Sequence, residues 1–125
     1  MQVKALVILL LVGGSLFVAS SRAAQRVSVH ASPSVSFAPA DLSIRATVEA
    51  NEDNRSVEIT AESMSFYRSS EVTLFGERGP RTTLLRLGSV PGGYYEVRAI
   101  VKGTNGEELA SARTVVRVLD HADVR

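Results

Sequence analysis

The sequence predicts an all-β fold, a two-sheet antiparallel β-sandwich of seven to eight strands. Three observations predict it. Apolar and polar residues alternate with period two through most of the chain, which puts successive side chains on opposite faces of a strand. Turn-forming residues interrupt that alternation about every ten residues, the spacing of a sandwich. Beyond residue 23, no stretch holds the i, i+3, i+4 apolar spacing of an amphipathic helix.

The first 23 residues stand apart from this pattern. A short basic start through Lys4 leads into an apolar run from Ala5 to Ala19, and Ser21 and Ala23 follow at the spacing a signal peptidase reads. The run is interrupted by Gly13 and Gly14 and falls short of the roughly 20 apolar residues a membrane helix needs. Residues 1–23 are therefore expected to be a cleaved secretory signal, with no stable membrane span afterwards. Residues 24–119 are expected to form one domain, and residues 120–125 a polar tail. Cleavage removes Lys4 and Arg22 and leaves 12 Lys+Arg against 13 Asp+Glu. That balance, with arginines scattered among acids, argues against nucleic acid as a partner. The absence of cysteine excludes disulfides and thiolate metal sites.

Along the expected domain, Val27 and Val29 alternate within the segment Arg26 to Ala31. Pro33 and Pro39 bracket a short extended piece, Val35 to Phe37, as at an edge or a strand switch. Leu42, Ile44, Ala46, Val48 and Ala50 then share one face. After the polar cluster Asn51-Glu52-Asp53-Asn54, Val57, Ile59 and Ala61 do the same, and these two strands are expected to form a hairpin. Met64 to Gly76 reads as two short strands or one bent strand. Arg81 to Leu87 places Thr83, Leu85 and Leu87 on a core face. In Tyr94 to Lys102, Tyr95, Val97, Ala99 and Val101 point inward. Asn105-Gly106 tolerates the positive φ of a hairpin turn into the last strand, Leu109 to Leu119. The expected core is Leu42, Ile44, Val48, Val57, Ile59, Leu85, Leu87, Tyr95, Val97, Val101, Val116 and Val118.

One segment carries a resemblance. Leu87-Gly88-Ser89-Val90-Pro91-Gly92-Gly93-Tyr94-Tyr95-Glu96-Val97-Arg98-Ala99 resembles the corner that opens strand F in fibronectin type III and related immunoglobulin-like domains. The resemblance implies that Tyr95 is a corner tyrosine whose hydroxyl bonds back to nearby backbone, with Pro91 and Gly92 shaping the turn. Similar corners occur in transthyretin-like and carboxypeptidase regulatory-like sandwiches. The chain departs from the fibronectin pattern in having no Trp, and it has no Cys…Trp…Cys set. The resemblance implies a binding, adhesion or spacer role.

The chemistry-bearing residues point the same way. Ser69 and Ser70 lack a nucleophile elbow, and only His30 and His121 exist to serve as a base, so the chain is expected not to be an enzyme. Neither histidine has the companions of a zinc site, and the turn at Asn51–Asn54 lacks the spacing of a calcium loop. No metal or other cofactor is therefore expected. Asn54-Arg55-Ser56 matches a glycosylation sequon, which matters only in a host that modifies such sites. The segment Phe66 to Glu71, followed by Glu77, Arg78 and Arg81, is rich in the aromatic and arginine residues that dominate binding hot spots. Tyr67, Arg68, Arg78 and Arg81 are the expected contact residues. The sequence thus reads as an exported, bacterial, non-enzymatic interaction module of the periplasm or cell exterior. Its expected partner is another envelope or extracellular protein, or a glycan. The alternative is a cell-wall accessory protein, or an envelope subunit that assembles through its sheet edges.

Overall fold

The computed structural model describes residues 26–79 and 81–121. The expected signal segment and the last four residues of the expected tail lie outside them. The described residues form eight strands: β1 (Val27–Ser32), β2 (Val35–Phe37), β3 (Ala40–Val48), β4 (Ser56–Glu62), β5 (Tyr67–Thr73), β6 (Thr82–Val90), β7 (Gly93–Lys102) and β8 (Glu108–Leu119). They make two sheets, one of three strands in the order β1-β3-β6 and one of five in the order β2-β8-β7-β4-β5.

Period-two alternation places the core. On β3, Ala40, Leu42, Ile44, Ala46 and Val48 are buried while Asp41, Arg45 and Thr47 are exposed. Val57, Ile59 and Ala61 of β4 and Tyr95, Val97, Ala99 and Val101 of β7 close the other side. Of the expected core residues, Leu85 alone is only partly buried; it packs against the core from β6, the outermost strand of its sheet. Burying a side chain of this kind contributes roughly 1.5–3 kcal/mol. With no disulfide in the chain, these contacts and the sheet ladders hold the fold.

Three connections differ from the sequence reading or add to it. β3 and β4 do not pair as a hairpin; they lie in different sheets, and the polar cluster between them carries the chain across the sandwich. Alternation reveals which face a strand buries and not which strand it pairs with, so two adjacent half-buried strands read as a hairpin when they face each other through the core. The crossing is fixed by Asn54, which is 2% exposed and donates from Nδ2 to the Glu49 carbonyl at 3.0 Å. The second difference is β2, which runs parallel to β8, the one parallel pairing of the described strands. Between Pro33 and Pro39 the chain leaves the smaller sheet and pairs in the larger one. Third, Met64 to Gly76 resolves into the single strand β5 followed by a 3₁₀ turn, Gly76–Arg78.

A bulge completes β6. Its register against β3 shifts between Leu42↔Leu87 and Ala40↔Val90, so one extra residue is accommodated on the β6 side. Ser89 there has φ 56°, and its N–H donates to Asp41 Oδ1 at 3.2 Å. The extra residue returns Val90 to the core, where it is fully buried.

Candidate functional site

The four expected contact residues do not share a surface. Tyr67 opens β5 and lies in register with Glu62, on the outward face of the larger sheet. Arg68, one residue on, points to the opposite side, as consecutive strand residues must. It remains exposed at this outermost strand, with its guanidinium carbon 5.6 Å from the centre of the Phe66 ring. Phe66 in turn packs edge-on against Tyr95, 5.7 Å between ring centres. Arg78 lies beyond the far end of β5, a strand length of roughly 20 Å from Tyr67. Arg81 borders the smaller sheet, where its carbonyl accepts the Val48 N–H at 2.7 Å.

Tyr95, by contrast, is fully buried, and its hydroxyl donates to the Pro91 carbonyl at 2.6 Å. The bond ties the start of β7 to the turn that precedes it. At Gly92 a Cβ would lie 2.5 Å from the Asp120 carboxylate, the far end of a side chain that would have to turn aside. The next residue, His121, stacks on Phe37 with 5.9 Å between ring centres. Packed structure therefore reaches to the start of the segment read as a tail.

The outward face of the larger sheet is the surface with the most distinctive composition. One row across it runs Tyr67, Glu62, Glu96, Val115, from β5 through β4 and β7 to β8. The next row toward the chain's corner holds Tyr94, Arg117 and Val35. Tyr67 is 60%, Tyr94 67% and Val115 50% exposed, and Met64 beside the β4 end is fully exposed. Between β4 and β7 lies an open depression of about 470 Å³, bordered by Glu58, Glu62, Met64, Tyr67, Arg98 and Ile100.

Charge on this face is segregated by strand. The acids Glu58, Glu62 and Glu71 lie on β4 and β5, and the bases Arg113 and Arg117 on β8. On the central strand β7, Lys102 sits 3.6 Å from Glu58 and 3.8 Å from Glu71, while Glu96 lies 3.8 Å from both Arg98 and Arg113. The pairs of Glu96 are long and exposed and contribute little stability, whereas Lys102 and Glu58 are partly buried. Glu62 and Arg117 form no ion pair among the described residues. Glu62 stands directly opposite Glu96, an unfavourable like-charge neighbour. Arg117 lies over the Tyr94 ring, 5.8 Å from its centre. The sequence contained these residues as outward positions; what it lacked was the strand order that brings them together.

The remaining candidates are occupied within the fold. In the turn Asn51–Asn54, the Asn51 side-chain oxygen accepts the Asp53 N–H at 2.8 Å, and the Glu52 carbonyl accepts the Arg55 guanidinium at 2.6 Å. In the folded chain the sequon's Asn54 is itself buried. Ser69 and Ser70 lie on β5 in the larger sheet, whereas His30 lies on β1 in the smaller one. Among the described residues, no group of three or more His, Cys, Asp or Glu is placed to hold a metal ion, and no helix is long and apolar enough to cross a membrane.

A three-stranded sheet facing a larger one, joined through a tyrosine corner, defines the architecture. The fold is an immunoglobulin-like β-sandwich. Neither a known family nor a curated protein matches the sequence. Solved structures do match. A superoxide reductase (neelaredoxin) from Ignicoccus hospitalis superposes with a TM-score of 0.56 at 12% identity, over 76% of this chain and 81% of that one. A CARDB domain from Pyrococcus furiosus, solved in complex with di-metal ions, gives 0.48 at 16% identity over 74% and 89%. A bacterial immunoglobulin-like domain from the M. primoryensis ice-binding adhesin gives 0.45 at 13% identity over 78% and 99%. At 12% identity the likeness to the reductase speaks to fold and not to activity.

Proposed function

We propose that the chain is an exported, non-enzymatic interaction module, fibronectin type III-like in build, that meets its partner through the outward face of the five-stranded sheet. The observation that carries this reading is the gathering of exposed Tyr67, Tyr94, Met64 and Val115 among charges sorted by strand. Exposed aromatic and methionine side chains supply contact area at protein interfaces, and sorted charge supplies orientation. Tyr67 is the one expected contact residue that this face contains. Residues 1–23 supply the signal for delivery to the periplasm or cell exterior.

The test is site-specific photo-crosslinking in cells expressing the full-length gene. A benzophenone side chain replaces Tyr67 in one strain and Leu84 in another, because Leu84 is equally exposed (58%) on the smaller sheet. The reading predicts a discrete protein adduct from position 67 and none from position 84, on a processed chain that begins at Ala24. Adducts from both positions, or from neither, would overturn the assignment of the face. An unprocessed chain would overturn export.

A further inference from the structure

We infer that the partner is a protein that sets a carboxylate, from an Asp or Glu flanked by apolar side chains, on Arg117. The inference rests on the reading just given and names the chemistry of the partner's contact.

Four cations stand on the outward face of the larger sheet: Arg98 and Lys102 on β7, and Arg113 and Arg117 on β8. Three of them are matched within the fold. Arg98 and Arg113 each lie 3.8 Å from Glu96, and Lys102 lies between Glu58 and Glu71. Arg117 is the exception, with no ion pair among the described residues. Strand order accounts for this. The other acids of the face lie on β4 and β5, beyond β7, and Glu96, diagonal to Arg117 across the β7–β8 register, already holds two arginines.

Apolar side chains surround Arg117 instead. Tyr94 on β7 and Val35 on β2 stand directly opposite it, one on each side. Val115 lies two residues earlier on the same strand face, and Phe37 stands opposite Leu119, two residues later. These are four of the eight large apolar side chains that are exposed among the described residues, so the patch is where exposed apolar surface concentrates. The Tyr94 ring attracts the guanidinium and restrains it, and the donor fork keeps its capacity for a bidentate acid.

These surroundings decide what a partner must bring. A partner that covers Tyr94, Val35, Val115 and Phe37 also takes Arg117 out of water. A guanidinium cut off from water and left unpaired is strongly unfavourable, so covering the patch requires an acid on the fork. The apolar ring calls for apolar groups beside that acid. A polypeptide supplies them, whereas a hydroxyl-rich glycan does not.

The experiment couples that acid covalently in cells expressing the full-length gene. A water-soluble carbodiimide joins an amine to a carboxylate and leaves arginine untouched, so R117K converts the contact into a crosslink. The background is low, because residues 24–125 contain a single lysine, Lys102, which already sits between Glu58 and Glu71. R86K on the smaller sheet is the control. The expected result is an amide bond, mapped by mass spectrometry, from position 117 to an Asp or Glu of the same protein that a benzophenone at position 67 captures, and none from position 86. R117E is expected to lower the adduct yield from position 67 by about tenfold or more, since it sets two acids against each other. Unchanged melting transitions for R117K and R117E separate lost binding from lost folding. No coupling from R117K while its position-67 adduct persists would overturn the inference and leave the interaction face standing. Coupling to a sugar acid would overturn the protein partner. No adduct from position 67 in the otherwise unaltered chain removes both readings.

Discussion

The two sheets of this sandwich have similar inner faces and very different outer ones. Inside, β3 and β4 present matching runs of buried aliphatic residues, and each sheet supplies one half of a single core. Outside, the smaller sheet scatters Ser28, His30, Arg45, Thr47 and Arg86 around one exposed leucine, Leu84. The larger sheet instead sorts acids to one side and bases to the other, with Tyr94 between them and Tyr67 on the acidic edge. An inner face answers to packing, which any well-filled apolar set satisfies. An outer face is free of that demand, so order on it points to something beyond folding.

Equal truncations on the two inner faces sharpen this contrast first. Ile44→Ala and Ile59→Ala remove side chains of the same size from fully buried positions, one in each sheet. Each is expected to cost about 2–5 kcal/mol by chemical denaturation. A large difference between them would mean that the sheets do not share one core.

The two inter-sheet corners come next. Tyr95→Phe removes the 2.6 Å bond to Pro91, and Asn54→Ala removes the 3.0 Å bond to Glu49. Both are expected to cost about 1–3 kcal/mol, since each strands a carbonyl at a tight crossing. No loss in either variant would make that corner's bond incidental to the fold.

The outer faces should behave in the opposite sense. Glu62→Arg is expected to leave unfolding free energy within about 0.5 kcal/mol of the wild type, as at most surface sites, while it weakens the adduct formed from a benzophenone at position 67. Leu84→Ser is the control on the smaller sheet and is expected to change neither quantity. Loss of that adduct from Leu84→Ser would move the interface to the wrong sheet and break the comparison.

Much of the fold was readable in the sequence because period-two alternation reports directly on burial. Leu42, Ile44, Val57, Ile59, Val97 and Val116 were all identifiable as core by that signal. The Pro91–Tyr95 corner was readable because a local motif dictates it. Pairing was harder. β3 and β4 face each other across the core, yet nothing in their alternation distinguishes that from lying side by side. The bulge at Ser89 was invisible, since it depends on Asp41, far away in sequence. The site suffered most. The density of aromatic and arginine residues from Phe66 to Arg81 suggested one patch, but alternation turns Tyr67 and Arg68 to opposite sides, and β5 separates them from Arg78. The residues that do gather come from five strands, and only sheet order shows that Glu62 and Arg117 flank the same neighbour.

The most direct test is the paired crosslinking experiment in cells expressing the full-length gene, with a benzophenone side chain at Tyr67 in one strain and at Leu84 in the other. The account predicts a discrete protein adduct from position 67, on the larger sheet, and none from the equally exposed position 84 on the smaller one. Adducts from both positions, or from neither, would contradict it.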